Sequence, residues 1–167
     1  RSTGSDSLNG HEGRDSLAGL DGSDTLKGYA GDDTLTGGTG NDSLSGDAGS
    51  DTYKFAIGDG VDTIYEQSGT ADTLLMGTGI TAANIRFEKS SNNLNIYYGT
   101  SDRITVQNQF YDDTNGTSSY DEVETLKFAD GTSINLKGGL TFTGTAAADS
   151  LSGTTMADTL VGLGGND

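Results

Sequence analysis

The most constraining feature of this sequence is a nine-residue repeat that runs without interruption through its first 54 residues. Each repeat has an aspartate at its sixth position, preceded two residues earlier by glycine and followed two residues later by a large side chain. The six aspartates are Asp6, Asp15, Asp24, Asp33, Asp42 and Asp51. A repeat this short and regular is a structural unit. It predicts a solenoid in which two repeats, or eighteen residues, close one coil.

Within each repeat, the residue types predict a turn followed by a short strand. Glycine permits left-handed backbone in the turn, and the aspartate carboxylate places a hydrogen-bond acceptor there. The three residues that follow have Ser or Thr first and an apolar residue second, which is typical of a half-buried strand. We therefore expect six-residue turns, three-residue strands and two sheets that enclose one leucine-filled interior.

The composition indicates that this fold depends on a bound partner. The chain has 25 Asp and Glu against 9 Lys and Arg, a formal charge of −16, and only 31 Leu, Ile, Val and Phe in 167 residues. So few apolar residues with so much net charge usually give a disordered chain. Divalent cations reconcile this composition with the regular repeat, because each brings two positive charges to turns that repel one another. The acidity also argues against nucleic acid and anionic membranes as partners.

The repeat resembles the calcium-binding nonapeptide G-G-x-G-x-D-x-U-x of the RTX family, the haemolysin-type repeats in toxin. The resemblance implies an all-β fold, a parallel β-roll loaded with calcium ions and closed by a C-terminal β cap. It implies a module that folds on meeting extracellular calcium and supports secretion of a larger bacterial toxin, adhesin or exoenzyme by type I secretion. The expected location is extracellular or at the bacterial cell surface. The chain has no cysteine, so metal would replace disulfides as the staple.

The family's ligand pattern implies four calcium sites between loops that stack on the same edge. An earlier loop gives the carbonyls of its second and fourth positions and its aspartate, and a later loop gives the carbonyls of its first and third positions and its aspartate. Carried onto this chain, the four sets are Ser2, Gly4 and Asp6 with Gly19, Asp21 and Asp24; His11, Gly13 and Asp15 with Gly28, Ala30 and Asp33; Leu20, Gly22 and Asp24 with Gly37, Thr39 and Asp42; and Tyr29, Gly31 and Asp33 with Gly46, Ala48 and Asp51.

Two more sites are implied where the aspartate spacing lengthens to eleven and then ten residues. Their residues are Gly38, Gly40 and Asp42 with Ile57, Asp59 and Asp62, and Asp47, Gly49 and Asp51 with Gln67, Gly69 and Asp72. A partial site would join Thr145, Ala147 and Asp149 with Gly162, Gly164 and Asp167. Four to six calcium ions would offset half or more of the net charge of −16, so we predict that folding depends strongly on calcium.

The sequence divides into three parts. They are the β-roll over 1–54, an irregular last coil with a β-strand capping region over 55–143, and the start of a second, truncated repeat block over 144–167. In the capping region, segments 85–88, 94–97 and 104–107 alternate apolar and polar residues as half-buried strands do. We expect this region to cover the exposed end of the solenoid. Because both chain ends fall inside repeats, we expect a segment of a longer polypeptide.

Other readings of the sequence predict different functions. An aromatic group could form a sugar-binding platform, although strand packing is the simpler explanation; its members are Tyr97, Tyr98, Phe110, Tyr111 and Tyr120. An adhesive or polysaccharide-binding module built on the calcium-dependent roll is accordingly the alternative function. Carboxylates at Asp112, Asp113, Glu122 and Glu124 have no partner constellation, so we predict no enzymatic activity. His11, the single histidine, cannot build a usual zinc site without thiols. No apolar run is long enough to span a membrane.

Overall fold

The structure of the chain is a computed structural model that describes residues 4–69, 71–110, 122–143 and 158–161. These residues form two β-sheets and a short 3₁₀ helix at Ala82–Asn84. The strands of the first sheet are β1 (Ser7–Asn9), β3 (Thr25–Ala30), β5 (Ser43–Gly49), β7 (Val61–Ile64), β8 (Ser68–Gly69), β10 (Arg86–Ser90), β11 (Asn93–Tyr98), β12 (Asp102–Val106), β15 (Thr141–Thr143) and β16 (Thr159–Val161). Those of the second are β2 (Ser16–Asp21), β4 (Thr34–Thr39), β6 (Thr52–Phe55), β9 (Thr73–Met76), β13 (Thr125–Phe128) and β14 (Ser133–Asn135).

Successive repeats alternate between the two sheets, so residues eighteen apart pair in parallel. Leu8 lies opposite Leu26, and Leu17 lies opposite Leu35, at the same position of neighbouring coils. The two sheets turn their leucine rows toward each other and share one interior. The predicted all-β parallel β-roll is therefore confirmed.

The strands of the roll are longer than the three residues that the repeat predicts. β2, β3 and β4 each span six residues. Pairing of β2 with β4 runs through Ala18, omits Gly19, and resumes at Leu20 and Asp21. The prediction was wrong on this point because the second and third residues of each turn also pair with the neighbouring coil. The loops are thus extensions of the sheets.

Each repeat places one apolar side chain in the interior of the roll. Leu26, Leu35, Leu44 and Tyr53 are completely buried. Burying one such side chain contributes about 1.5–3 kcal/mol. Fixing the backbone costs about 1–2 kcal/mol for each of nine residues. The apolar core therefore cannot by itself hold the repeats together.

Residues 55–143 continue both sheets of the roll. β12 pairs in parallel with β7, and β13 pairs in parallel with β9, so each sheet gains a strand beyond the last coil. Antiparallel strands then extend the first sheet through β11 and β10 and the second through β14. Side chains of these strands continue the buried core; they include Leu94, Ile96, Ile104, Leu126 and Phe128. The C-terminal strands of the roll are consequently paired.

The eighteen-residue register reappears at the C-terminal side of this region. β15 pairs in parallel with β10 and with β16, where Thr141 lies opposite Thr159. The Leu140 N–H donates to Asp158 Oδ1 at 2.8 Å, across the same eighteen-residue interval. All six residues of the predicted partial site lie outside the described residues; they are Thr145, Ala147, Asp149, Gly162, Gly164 and Asp167.

Candidate metal centre

The repeat aspartates form two columns, one along each edge of the roll. In each column, the Oδ1 atom of an aspartate accepts a hydrogen bond from the backbone N–H of the aspartate one coil earlier. The donor and acceptor pairs are Asp6 with Asp24 at 2.7 Å, Asp15 with Asp33 at 2.7 Å, Asp24 with Asp42 at 2.8 Å, and Asp33 with Asp51 at 2.7 Å. These bonds link neighbouring coils. The constant interval of eighteen residues is the signal from which this ladder could have been found.

The second carboxylate oxygen of most column aspartates is not satisfied by the described residues. The Oδ2 atoms of Asp24, Asp33, Asp42, Asp51 and Asp72 are buried and have no hydrogen-bond partner among the described residues. A buried oxygen without a partner costs several kcal/mol when it carries charge. Calcium takes carboxylate and carbonyl oxygens as ligands, so these residues fit the ion that the repeat implies.

Backbone carbonyl oxygens lie close to the Oδ2 atoms of these column aspartates. A Cβ atom added to Gly10 would lie 2.6 Å from Asp15 Oδ2 and 2.6 Å from the carbonyl oxygen of Gly28. The same convergence brings Asp24 Oδ2 and the Gly37 carbonyl to Gly19, and brings Asp33 Oδ2 and the Gly46 carbonyl to Gly28. The structure thus brings together one predicted ligand pair of the second, third and fourth sites. For the first site, Ser2 lies outside the described residues.

The second position of the repeat adopts left-handed backbone in four consecutive repeats, whether or not it is glycine. The φ angle is 83° at Leu20, 79° at Tyr29, 68° at Asp47 and 104° at Gly38. A side chain in this conformation costs about 1–2 kcal/mol relative to glycine. The family pattern has glycine at this position, and of the five repeats that depart from it, those with Leu20, Tyr29 and Asp47 bear that cost.

Replacing Leu20 with glycine is expected to stabilise the calcium-loaded chain by roughly 0.5–1 kcal/mol, since relief of strain exceeds the extra entropy of glycine in the unfolded chain. Leu20 is 43% exposed, so little apolar burial is lost. Urea unfolding at saturating calcium would measure the change. Leu20→Ala is the control, because alanine keeps the strained Cβ and should bring no gain. A less stable Leu20→Gly variant would show that the left-handed backbone is not the dominant cost.

The first irregular loop keeps the register of the regular ones. Asp62 Oδ1 accepts from the N–H of Asp42 at 2.9 Å, and the Gly40 N–H donates to the Asp59 carbonyl at 2.7 Å. Gly40 bridges to Gly60, so Asp59 occupies the third position of its loop as predicted. The two extra residues of this coil therefore precede Asp59.

The second irregular loop has a different register from the one counted along the sequence. Ser68 lies opposite Ala48, and Gly69 lies opposite Gly49. Ser68 therefore occupies the third position, which the sequence analysis had given to Gly69, and Glu66 occupies the first, which it had given to Gln67. The count was shifted by one residue because the extra residue falls between Gly69 and Asp72. Asp72 Oδ1 still accepts from the N–H of Asp51, at 2.7 Å.

A glutamate continues the column of Asp15, Asp33, Asp51 and Asp72 into the cap. The Asp72 N–H donates to Glu124 Oε2 at 2.6 Å, as each earlier aspartate N–H donates to the next carboxylate. Glu124 directly precedes β13, just as Asp72 precedes β9. Lys137 Nζ lies 3.7 Å from Glu124 and 2.8 Å from Glu122, and supplies positive charge at this end. The sequence pattern indicates no partner for Glu122 and Glu124, and Asp112 and Asp113 lie outside the described residues.

Burial raises the pKa values of the later aspartates of the two columns, from Asp33 to Asp72, and the like charge of neighbouring carboxylates adds to the effect. The pKa of Asp51 rises to about 6, and those of Asp62 and Asp72 rise to about 7. Desolvation likewise raises the pKa values of Asp33 and Asp42 above 3.8. Without bound cations, the folded chain therefore takes up protons at these positions.

In the presence of chelator, β structure is expected to be most stable in acid and to be lost as the pH rises to about 7. The raised pKa values mean that the folded chain binds more protons than the unfolded chain between pH 3.8 and about 7. Their stabilising contribution is complete below about pH 3.8 and disappears as the pH passes through about 6 to 7. Circular dichroism of the chelated chain across this range would measure it. Calcium-free structure that increases with pH would contradict the expectation.

Two family models match this chain. Residues 2–26, 18–53 and 143–167 match the RTX calcium-binding nonapeptide repeat (4 copies). Residues 96–137 match the haemolysin-type calcium binding protein related domain. No curated protein matches the chain. Among solved structures, the solution structure of the AlgE6R3 subunit from the Azotobacter vinelandii mannuronan C5-epimerase is similar at 25% identity and a TM-score of 0.41, covering 63% of this chain and 72% of that one.

Proposed function

Since this chain belongs to the RTX family of calcium-binding repeat proteins, we propose that it is a calcium-triggered folding module of a larger secreted bacterial protein. The observation that carries the proposal is the set of buried Oδ2 atoms without partners along both columns of the roll. Carboxylates in this arrangement repel one another without cations, and calcium supplies both the charge and the missing contact. Folding and calcium binding then become one event.

We assign ions to the spaces between stacked loops. Four lie in the regular part, with the ligand sets that the family pattern gives, and two lie at the irregular loops. The fifth keeps Gly38, Gly40 and Asp42 with Ile57, Asp59 and Asp62, in agreement with the register. For the sixth, the register supports Glu66 and Ser68 in place of Gln67 and Gly69, beside Asp47, Gly49, Asp51 and Asp72.

A calcium-dependent fold suits a protein that must cross a membrane unfolded. Cytosolic calcium is too low to fill weak sites, whereas extracellular modules bind calcium with Kd values of about 10⁻⁴ to 10⁻³ M. The module would leave the cell unfolded by type I secretion and fold outside, where it supports a toxin, adhesin or exoenzyme while itself being non-catalytic. Within the described residues, no helix is long and apolar enough to cross a membrane.

Export behind a type I transporter tests this proposal. The chain would carry an appended type I export signal, and cytosolic calcium would be raised with an ionophore. Export is expected to stop when cytosolic calcium exceeds the folding midpoint, because a folded roll cannot be threaded. A matched variant binds calcium poorly and should be exported at both calcium levels. It carries the substitutions Asp24→Asn, Asp33→Asn, Asp42→Asn and Asp51→Asn. Unchanged export of the unsubstituted, calcium-loaded chain would overturn the proposal.

A cleft in the capping region favours glycan binding as a second candidate function. It encloses about 670 Å³ and is lined in part by Arg86, Tyr97 and Arg103. The Arg86 guanidinium lies 4.0 Å from the centre of the Tyr97 ring. Of the other platform residues, Tyr98 is buried and Phe110 packs against the core, while Tyr111 and Tyr120 lie outside the described residues.

A glycan array on the calcium-loaded chain tests the second candidate. The net charge of −16 favours neutral sugars over anionic ones. Tyr97→Ala should abolish binding if the cleft is the site. Tyr65→Ala, which changes an exposed tyrosine elsewhere, is the control. Binding that survives Tyr97→Ala would exclude the cleft, and an array without signal would exclude the function.

A further inference from the structure

Three carboxylates converge at the last loop of the roll, where it meets the cap. One oxygen of each of Asp51, Glu66 and Asp72 lies within 4.8 Å of the others. The three side chains are 1%, 4% and 0% exposed. Burying three acids this close together is unfavourable without a compensating positive charge.

Each of these carboxylates is held by one oxygen and leaves the other without a partner. Asp51 Oδ1 accepts from the Asp33 N–H, and Asp72 Oδ1 accepts from the Asp51 N–H. Glu66 Oε1 accepts from the Tyr53 hydroxyl, which in turn accepts from the Gly46 N–H at 2.7 Å. The remaining oxygens, Asp51 Oδ2, Asp72 Oδ2 and Glu66 Oε2, are buried without a hydrogen-bond partner among the described residues.

The neighbouring charged groups do not neutralise this cluster. Lys137 contacts Glu122 and Glu124, and Lys27 lies 3.7 Å from Asp47. Asp47 and Glu124 themselves add negative charge around Glu66. Within the described part of the chain, no ion pair reaches Asp51, Glu66 or Asp72.

We propose that Asp51, Glu66 and Asp72 chelate one calcium ion through three side chains, at the junction of the roll and the cap. Calcium takes oxygen ligands at about 2.3–2.6 Å, so two oxygens on one ion lie no more than about 5.2 Å apart, and the three carboxylates meet that limit. The regular loops place two aspartates at each ion. A third carboxylate strengthens binding, so this site fills at lower calcium than the others.

The position of this site between the roll and the cap also sets its place in the order of folding. Asp72 contacts Glu124 of the cap through its backbone N–H, and Asp51 belongs to the last regular coil. The ion therefore joins the last regular coil, through Asp51, to the loop of Asp72 that contacts the cap. Filling it first would fix the end against which the remaining coils stack.

The substitution Glu66→Gln tests the assignment, which rests on calcium binding by the roll as proposed above. Glutamine keeps the size and the hydrogen bond with Tyr53 but removes the charge. Native mass spectrometry should show one calcium ion fewer, and the calcium midpoint of folding should rise about tenfold or more. Glu12→Gln makes the same change at an exposed residue and should alter neither.

The competing arrangement is a protonated, neutral Glu66 that binds no ion. In that case Glu66→Gln would leave the ion count and midpoint unchanged, which would overturn the assignment while calcium-dependent folding itself remained. If Glu66→Gln fails to fold, infrared spectroscopy of the unsubstituted chain decides. The calcium-loaded chain at pH 7 should show no carbonyl stretch of a protonated carboxylic acid. Such a band would overturn the assignment, whereas a chain that folds without calcium would instead refute the proposed function.

Discussion

Removing calcium from this chain at neutral pH is expected to abolish most of its β structure. The reason is that the interior gains only one apolar side chain per nine residues, while both edges carry columns of buried carboxylates. Without cations, the cost of burying those charges adds to the conformational entropy, and little remains to oppose it. Far-ultraviolet circular dichroism in chelator should report a largely disordered chain, and about 1–10 mM calcium should restore the β-sheet signal.

Magnesium at the same concentration is the control for this experiment. It should restore little structure, because it requires near-octahedral geometry at shorter distances than stacked carbonyls and carboxylates provide. A monovalent salt of equal ionic strength should also fail, since screening does not replace the missing contacts. A chelated chain that already shows the full sheet signal at pH 7 would contradict the expectation.

Truncation after residue 54 is expected to prevent folding even in millimolar calcium. The fragment 1–54 loses β7 and β9, which pair with the last strands of the roll, β5 and β6. It also loses the carboxylates of Asp62 and Asp72, which accept from the N–H groups of Asp42 and Asp51. The fully buried Leu44 and Tyr53 would then lie at an open end.

A fragment of residues 1–143 is the matched comparison for the truncation. It retains the strands that continue both sheets, so it should fold with a calcium midpoint close to that of the whole chain. Circular dichroism and hydrogen exchange of both fragments over the same calcium range would separate them. If the fragment 1–54 folds with a similar midpoint, the cap is a neighbour of the roll and not a condition for its folding.

The regular part of this fold could be predicted from its period alone. A constant interval of nine residues fixes which side chains share a face and which aspartates share an edge, before any contact is known. The ladder from backbone N–H to Oδ1 could have followed from the same interval, because it requires only that residues such as Asp24 and Asp42 stack. What the sequence did not reveal was that the loops pair as strands do, since paired loop residues such as Asp21 and Thr39 share no residue type that would mark a strand.

The irregular end could be predicted only in part, for a geometric reason. An extra residue shifts the register only after the point where the chain bulges, and the sequence does not mark that point. The sequence count therefore places Gln67 and Gly69 at the first and third loop positions, where the register has Glu66 and Ser68. Glu124 was missed because its partner Asp72 lies 52 residues earlier. Alternation of apolar and polar residues predicted strands near β10, β11 and β12, but it does not encode that β12 would pair with β7.

The column of aspartates has a consequence for how sharply this molecule can respond. The carboxylate of each aspartate accepts a hydrogen bond from the coil before it, and its backbone N–H donates to a carboxylate of the coil after it. Coupling is therefore strictly between neighbouring coils. In such a linear array, a filled site lowers the calcium concentration at which the neighbouring site fills, so folding spreads from coil to coil. Its steepness then grows with the number of coils. The steepness of the calcium response can therefore be changed by adding or deleting nine-residue repeats.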